Sequence, residues 1–199
     1  MNSEFKENGF IVIRNLFNKA LCNSLYAVIC KLKEHNLTRR SDLLVGDDVD
    51  GVYCTPPFDM VLDHKTKFLS EKCGIGLIPA YTYARIYKKG HTLKKHFDRS
   101  ASEYNTTIHL GGKYKTLWPV WIESAKGEDF KCDMGIGDGL FFKGCEREHW
   151  REPFDRDGDK LHAQMFMSYV EKNGKYAEWA FDKRDSLSHN DPKHWKIIR

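Results

Sequence analysis

The sequence lacks the features that mark several classes of protein. Its six cysteines form no CxxC or CxxxC pair, so neither a zinc ribbon nor a redox dithiol is indicated. It has no apolar run of about 20 residues, the length that a membrane-spanning helix needs, and its first residues are polar. Lysine and arginine form no long run, and 32 basic against 28 acidic residues do not favour nucleic acid as a partner. We therefore expect a reduced cytoplasmic protein with no membrane partner.

The length of the chain suits one domain. A chain of 199 residues can bury most of its apolar surface around a single core, and an aromatic content of 13% supplies packing material. We expect helical support and a candidate lid in residues 1–79, a β core in residues 80–171 and a C-terminal extension in residues 172–199.

Apolar periodicity predicts two helices in the first part of the chain. Asn18 can cap a helix that runs to about His35, and a second helix is predicted from Phe58 to about Lys72. Between them, residues 36–57 lose this periodicity and gather Asp, Gly and Pro, which predicts an irregular loop. Such a loop could be a mobile lid over a binding site, but an ordinary exposed connection has the same composition.

The remainder of the sequence has the pattern of a β protein. Short runs of β-forming residues are separated by Gly, Asn and Asp, and one further run precedes the first helix. Strands are predicted at residues 9–17, 81–87, 93–97, 104–110, 117–122, 139–142 and 161–170. Two helices combined with at least six short strands predict an α+β fold, with a barrel or sandwich braced by helices on one face.

Three residues of this β region could hold one metal ion. His96 and Asp98 are two positions apart on a predicted strand, so both side chains can point to the same face. His149 is the preferred third ligand because it follows a turn and strand that can deliver it to the interior, and His162 is the rival. Two histidines and one carboxylate with open coordination positions are the ligand set of non-haem Fe(II) oxygenases.

The last predicted strand has one polar face. Lys160, His162 and Gln164 alternate with apolar residues, and a polar face inside a barrel is costly unless it meets a ligand or ordered water. A buried Lys160 would have a natural partner in the carboxylate of a dicarboxylic cosubstrate. The alternative is an ordinary turn lysine that follows Gly158.

Three segments together resemble a known enzyme family. They are residues 85–98, with Tyr87 and the His96-Phe97-Asp98 motif, residues 137–142, and residues 149–160, with His149, Pro153, Gly158 and Lys160. They resemble the 2-oxoglutarate/Fe(II) dioxygenases, and within them the prolyl 4-hydroxylase-like branch. The resemblance implies a double-stranded β-helix, also described as a jelly-roll or cupin-like barrel.

The resemblance also implies residue roles. His96, Asp98 and His149 would be the iron ligands, and Lys160 would pair with the 5-carboxylate of 2-oxoglutarate. Tyr87 would hydrogen-bond the same cosubstrate. Two further residues, Thr107 and His109, would line its pocket or be ordinary strand residues.

The sequence departs from the family at two places near the presumed site. Leu93 stands where the family usually has a second tyrosine, and the Gly158-x-Lys160 unit comes one residue later than usual. Arg85 could reach a substrate or form an ion pair with a surface acid, and we favour the ion pair.

The implied activity is hydroxylation of an unactivated C–H bond with Fe(II), 2-oxoglutarate and O2, with ascorbate as an optional reductant. Succinate and CO2 would be released, and the substrate would be a prolyl or proline-like group in a peptide or small molecule. Three alternatives stay open: another amino acid, small metabolite or nucleobase as substrate; a non-catalytic β-barrel binding module; and a structural metal site.

Overall fold

Two antiparallel sheets and three α-helices make up residues 2–187, the part of the chain that this computed structural model describes. The helices are α1 (Ser3–Asn8), α2 (Lys19–Glu34) and α3 (Pro56–Cys73), and two 3-10 segments span Ser100–Ser102 and Ala177–Lys183. The strands are β1 (Phe10–Ile13), β2 (Arg39–Asp42), β3 (Gly46–Tyr53), β4 (Leu77–Lys88), β5 (Leu93–His96), β6 (Tyr104–Lys113), β7 (Val120–Glu123), β8 (Asp129–Cys132), β9 (Gly139–Lys143), β10 (His149–Arg151) and β11 (Leu161–Glu171).

The strands form a large and a small sheet. The large sheet has seven strands in the order β1-β9-β6-β11-β4-β3-β2, and the small sheet has four in the order β5-β10-β7-β8. Every paired strand is antiparallel to its neighbour. The long strands β4 and β11 pair along almost their full length at the centre of the large sheet, so they provide the firmest support for side chains on either face.

Local sequence signals set the helix ends. The side chain of Asn18 accepts a hydrogen bond from the backbone N–H of Leu21 at 2.8 Å, which caps the start of α2. Pro56 begins α3, where its missing N–H costs nothing, and Gly74 ends it with a φ of 68°. Because these ends are fixed, both helices present their apolar residues to one face of the large sheet.

Three groups of buried apolar residues hold the layers together. The largest lies between the helices and the large sheet and includes Leu25, Ile29, Leu62, Met165 and Met167. A second joins the two sheets and contains Phe10, Val120, Ile122, Cys132, Met134, Leu140 and Phe142. A third, small group consists of Tyr87, Trp118 and Phe154.

Most predicted elements are confirmed. The two predicted helices appear as α2 and α3, and all seven predicted strands appear, with ends that differ by a few residues. The mixture of antiparallel sheets and N-terminal helices agrees with the predicted α+β class. The prediction of an irregular loop at residues 36–57 is wrong, because β2 and β3 form a hairpin there. The predicted extension at 172–199 lies partly outside the described residues.

The predicted absence of a membrane-spanning segment can be compared with the helices of the described region. None of them combines the length and the apolar character that crossing a bilayer requires.

Candidate metal centre

His96, Asp98 and His149 come together beside the small sheet, where β5 ends and β10 begins. His96 ends β5 and His149 begins β10, and the two residues are directly opposite each other in that antiparallel pair. Their ring centroids are 4.2 Å apart. Oδ1 of Asp98 lies 3.6 Å from Nε2 of His96 and 3.7 Å from Nε2 of His149. Among residues 2–187, this is the group whose nitrogen and oxygen atoms could share one metal ion.

Both histidines are oriented by the same device. Nδ1 of His96 lies 2.7 Å from the carbonyl oxygen of Lys94, and Nδ1 of His149 lies 3.1 Å from that of Arg147. A carbonyl oxygen can only accept a hydrogen bond, so each Nδ1 carries the proton and donates it. Nε2 of each ring is then left with a free lone pair. Metal-bound histidines commonly use this arrangement.

Asp98 is held through its other oxygen and through its backbone. The side-chain amide of Asn105, on β6, donates to Oδ2 of Asp98 at 2.9 Å, and the backbone N–H of Asp98 donates to the carbonyl oxygen of Gly144. A Cβ atom at Gly144 would lie 2.6 Å from Oδ2 of Asp98 and 2.2 Å from the Ser102 carbonyl oxygen, so this position requires glycine. Oδ1 of Asp98 therefore faces the histidines.

The electrostatics of the triad suit a cation. Burial lowers the pKa of His149 to about 4, which keeps its imidazole neutral. Burial raises the pKa of Asp98, but the charges and hydrogen bonds of His149, His96 and Asn105 outweigh that effect and lower it overall. The resulting site offers two imidazole nitrogens and one carboxylate oxygen to a metal ion. Phe97, between the two ligands, points the other way and is exposed, as the alternation predicted.

A group of buried polar side chains, called the pocket below, lies on β4, β6 and β11. Tyr87, His109 and His162 are almost fully buried, and the rings of His109 and His162 stack with their centroids 4.3 Å apart. Trp118 and Phe154 enclose them with apolar surface. Three polar atoms in this pocket are buried without a hydrogen-bond partner: Oη of Tyr87, Nε2 of His109 and Nδ1 of His162. Buried polar groups are normally paired, so this concentration indicates the place of a polar ligand.

Arg151 is the positive charge of this pocket. It lies two residues after His149 on β10, so its side chain shares the inward face, and the residue is 2% exposed. Its Nη1 donates to the carbonyl oxygen of Trp118, its Cζ lies 4.7 Å from the centroid of that ring, and its Nη2 is buried without a partner. Burial lowers its pKa to about 10, so it remains a cation at neutral pH. No carboxylate within the described part of the chain forms an ion pair with it.

Lys160 does not occupy the pocket, contrary to our expectation. It is exposed and lies just before β11, where its backbone hydrogen-bonds to Lys113 and Lys89 at the end of the sheet. The inward positions of the strand begin with His162 and Gln164, and Lys160 stands beyond them at the surface. The buried cation that the sequence argument required is therefore present, but it comes from Arg151 on a different strand.

The remaining predicted residues lie on the inner faces of β6 and β11. Thr107 is buried and its hydroxyl accepts a hydrogen bond from the amide of Gln164 at 2.6 Å. Oε1 of Gln164 accepts a hydrogen bond from Nε2 of His162 at 2.8 Å, and because an amide oxygen can only accept, Nε2 of His162 carries the proton. His162 is therefore engaged away from the triad and does not act as a rival ligand. Nδ1 of His109 pairs with the Met134 carbonyl oxygen at 3.0 Å.

The β2–β3 hairpin contacts β4 and also β5, the strand that carries His96. Nη1 of Arg85, on β4, donates to Oδ2 of Asp42 at 2.9 Å, and Asp42 ends β2. The loop after β2 also reaches the strand of the first ligand, because the backbone N–H of Lys94 donates to the carbonyl oxygen of Leu44. The favoured ion pair of Arg85 is confirmed, although its partner is largely buried instead of exposed on the surface.

The chain matches known proteins in its fold but not in its sequence. No protein-family model and no curated protein sequence matches the chain. Solved structures do match. A prolyl hydroxylase from Trichoplax adhaerens, in complex with a hypoxia inducible factor oxygen degradation domain peptide fragment, has a TM-score of 0.71 at 12% identity, over 91% of this chain and 90% of that one.

Two further structures show the same likeness. A prolyl-4-hydroxylase from Pseudomonas putida has a TM-score of 0.67 at 13% identity, over 83% of this chain and 95% of that one. The epimerase SnoN, in complex with Fe3+, alpha ketoglutarate and nogalamycin RO, has a TM-score of 0.67 at 11% identity, over 95% of this chain and 89% of that one. The chain has the fold of the 2-oxoglutarate/Fe(II) oxygenases.

Within this oxygenase fold, the sequence analysis missed two residues of the site. Arg151 was overlooked although it lies two positions after His149, a spacing that places both side chains on one face of a strand. Asn105 was overlooked because a lone asparagine in a β run carries no signal of its own. Only the folded chain brings it to within 2.9 Å of Asp98.

Proposed function

We propose that this protein is an Fe(II)/2-oxoglutarate-dependent dioxygenase that hydroxylates an unactivated C–H bond of a prolyl or proline-like substrate and releases succinate and CO2. One observation carries the proposal. A triad of two Nε2 atoms and one Asp98 oxygen occurs together with a group of buried, unpaired polar atoms whose cation, Arg151, has no carboxylate partner within the described residues.

The donor set fits ferrous iron in a catalytic role. Two neutral imidazoles and one carboxylate leave coordination positions for a cosubstrate and for O2, and this facial triad is typical of non-haem iron oxygenases. A structural zinc site would be closed by four Cys or His ligands. The fold of the chain supports the same interpretation, since SnoN, which shares it, binds Fe3+ and alpha ketoglutarate.

The pocket fits the dicarboxylate. Arg151 would pair with the distal carboxylate of 2-oxoglutarate, and the unpaired hydroxyl of Tyr87 would donate to the same molecule. Nε2 of His109 and Nδ1 of His162 also lack partners and line the same space, whereas Thr107 is engaged with Gln164 and would act through it. In this proposal Arg151 takes the role that the resemblance had implied for Lys160.

In the reaction the protein would orient the two imidazoles, orient the carboxylate of Asp98 and exclude water. Iron and 2-oxoglutarate supply the activation of O2 when they are bound. The carbonyl oxygens of Lys94 and Arg147 fix both imidazoles, and Asn105 fixes Asp98, so the ligands need no rearrangement when iron binds. The apolar walls formed by Trp118 and Phe154 exclude water and strengthen the charge interaction of Arg151.

The same proposal includes the finer architecture. We propose that the two sheets form a double-stranded β-helix with the catalytic core in residues 80–171, and that the β2–β3 hairpin is the lid. Six unpaired cysteines support a reducing, cytoplasmic location, where ferrous iron persists. Ascorbate remains an optional reductant in this scheme.

One observation favours a second candidate substrate class. The hairpin bridges β4 and β5 over the mouth of the site, through Asp42 and Leu44, and this leaves a covered pocket where a peptide would need an open groove. A free amino acid or another small metabolite is therefore the second candidate, with the same cofactor chemistry.

The metal centre can be tested directly by anaerobic calorimetry with ferrous ion. We expect stoichiometric binding to be lost in His96→Ala, Asp98→Ala and His149→Ala, because each substitution removes one of three donors. His64→Ala, at an exposed position on α3, is the matched control and should bind normally. Normal affinity in all three triad variants would reject the proposed function.

A further inference from the structure

Arg85 is a second buried arginine, and it lies between the triad and the lid hairpin. Its side chain is 7% exposed. Burial disfavours its charge, but its pKa is nevertheless raised, with Asp42 and Asp98 among the groups that favour the cation. Asp98 is a proposed iron ligand, so the guanidinium is close enough to the triad for their charges to interact.

Only one side of the Arg85 guanidinium is occupied. Its Nη1 donates to Asp42, and its Nε is buried and has no hydrogen-bond partner among residues 2–187. Nε and the neighbouring Nη2 form an edge with two parallel N–H groups. Such an edge matches the two oxygens of a carboxylate and forms a short, charge-assisted, bidentate pair with it.

Aromatic rings hold this guanidinium in place. Its Cζ lies 5.0 Å from the ring centroid of Tyr83, 5.2 Å from that of Tyr87 and 4.7 Å from that of Phe166. Tyr83 itself packs so closely on β3 that a Cβ atom at Gly51 would lie 2.1 Å from its hydroxyl oxygen. The cation therefore cannot swing away, and its unpaired edge has a fixed direction.

The two buried arginines have different surroundings. Arg151 contacts Trp118 at the closed end of the pocket and has no carboxylate partner within residues 2–187. Arg85 is bonded to the lid, on the side from which a substrate would enter. Because a cosubstrate with two carboxylates needs one at the iron and one at the closed end, the edge of Arg85 is left for a different anion.

The hairpin adds a second positive charge at this mouth. Arg39, on β2, is half-buried, and its Cζ lies 5.7 Å from the ring centroid of Tyr53. It makes no ion pair with any acidic residue that the structure describes. Asp42 pairs with Arg85, so Arg39 adds a cation without an ion pair beside it, and such a cation favours an anionic ligand.

We propose that Arg85 binds a free carboxylate of the substrate through its Nε–Nη2 edge, while Asp42 holds the other side of the guanidinium. This inference rests on the proposed function and deepens it. The substrate is a free proline-like amino acid or a C-terminal proline-like residue, and an internal peptide residue, which has no carboxylate, is excluded.

The test uses the enzyme loaded anaerobically with Fe(II) and 2-oxoglutarate, so that nothing turns over. The probes are L-proline, glycyl-L-proline and the C-terminal amides of both. Binding is measured by calorimetry and by the side-chain NMR signal of ¹⁵N-labelled Arg85, which is assigned from its absence in Arg85→Lys. We expect each bound acid to shift the Arg85 signal and to bind at least about tenfold more tightly than its amide.

Variants locate the effect. Arg85→Gln should remove the preference for acid over amide, and Arg85→Lys should keep only part of it, because an ammonium group cannot bind bidentately. Arg14→Gln is the control, since it removes the same charge from an exposed arginine side chain that pairs with Asp138. Thermal unfolding of each variant checks that the fold persists.

The outcomes separate the two claims. If Fe(II) and 2-oxoglutarate do not bind together, seen by their visible charge-transfer absorption, the proposed function fails. If they bind but no acid shifts Arg85, or acids and amides bind equally, the carboxylate site is overturned. A fall in 2-oxoglutarate affinity in Arg85→Gln, with none in Arg151→Gln, would also overturn it. Binding of L-proline alone, or of both acids, supports the site and tells the free amino acid from the C-terminal residue.

Discussion

Arg151 and Leu93 face each other across the antiparallel pair of β10 and β5, and both side chains are buried. Leu93 occupies the place where related enzymes usually have a hydrogen-bonding tyrosine. Arg151, on the opposite strand β10, places its guanidinium beside Leu93. It therefore provides a hydrogen-bond donor near the position where the tyrosine is missing. Under our proposal, Arg151 takes the role of the lysine eleven residues beyond His149, which lies at the surface.

The first prediction concerns 2-oxoglutarate affinity. Arg151→Gln should raise the 2-oxoglutarate concentration needed for half-saturation by at least about tenfold, or ~1.4 kcal/mol, because the buried ion pair is lost. Lys160→Gln should leave it unchanged, since Lys160 is exposed. Both are measured by anaerobic titration of the Fe(II) enzyme. If Lys160→Gln needs more 2-oxoglutarate for half-saturation and Arg151→Gln does not, the assignment of Arg151 as the cation that binds the cosubstrate is incorrect.

The convergence of His96, Asp98 and His149 could be predicted from the sequence because a metal site constrains its donors strongly. Three donors of the right type must converge, and few triplets in the chain have both the spacing and a β context. The distal cation was harder. A Gly-x-Lys unit after His149 does not specify which way the lysine points. In the structure Lys160 precedes β11 and is exposed, and the first inward residue of that strand is His162.

The β2–β3 hairpin shows a second limit of sequence reasoning. Strand β2 is the polar run Arg39–Asp42, and β3 contains Gly51 and Asp50, so neither has the alternation of a half-buried strand. Asp50 is nonetheless buried, because Lys33, Arg40 and Lys88 surround its carboxylate. Tertiary ion pairing and the approach of Tyr83 to Gly51 decide this structure, and neither can be read from local composition.

The second prediction concerns the residue that supports Asp98. Asn105→Ala should weaken ferrous binding by about 10- to 100-fold, because the amide that fixes Oδ2 of Asp98 is lost while all three ligands remain. Asn173→Ala, at an exposed position, is the control. Anaerobic calorimetry measures both affinities. If Asn105→Ala binds iron as tightly as the unmodified protein, the amide has no part in holding the carboxylate.

The third prediction concerns pH. Burial lowers the pKa of His109 to about 4, whereas in the unfolded chain it is about 6.5. Below about pH 6.5 the unfolded state binds a proton that the folded state does not. The stabilising effect of the neutral His109 is therefore complete above that pH and decreases toward pH 4, by roughly 3 kcal/mol. His162, whose pKa is also lowered by burial, acts in the same direction.

Urea unfolding of the metal-free protein at several pH values between 7 and 4.5 would measure this effect, since metal release then makes no contribution. His109→Gln should flatten the pH dependence of the free energy of unfolding, and His64→Gln, at an exposed site, should not change it. An equal slope in His109→Gln and the unmodified protein would mean that His109 takes up its proton over the same pH range in the folded and unfolded states, so that its pKa is not lowered by folding.

The last prediction concerns the C-terminal segment. Arg184 follows the 3-10 segment and is buried against Asp59 of α3, with Nη1 3.2 Å from Oδ2. Its Nη2 donates to the carbonyl oxygen of Ala80, at the start of the strand that carries Arg85 and Tyr87. Arg184→Ala removes the guanidinium from a buried carboxylate, and we expect the free energy of unfolding to fall by about 3–5 kcal/mol.

The loss in the free energy of unfolding should come from breaking the Arg184–Asp59 ion pair and not from removing the arginine side chain alone. Replacing both residues, as in Asp59→Leu with Arg184→Leu, should cost less than Arg184→Ala, because no buried charge is then left without its counterion. Arg14→Ala is the control, since its ion pair with Asp138 is largely exposed on the arginine side and should contribute at most about 1 kcal/mol. A double-mutant cycle by urea unfolding measures all of these. A double variant that is as unstable as the sum of the single ones would show that Arg184 acts through packing and its backbone hydrogen bonds, independently of the charge on Asp59.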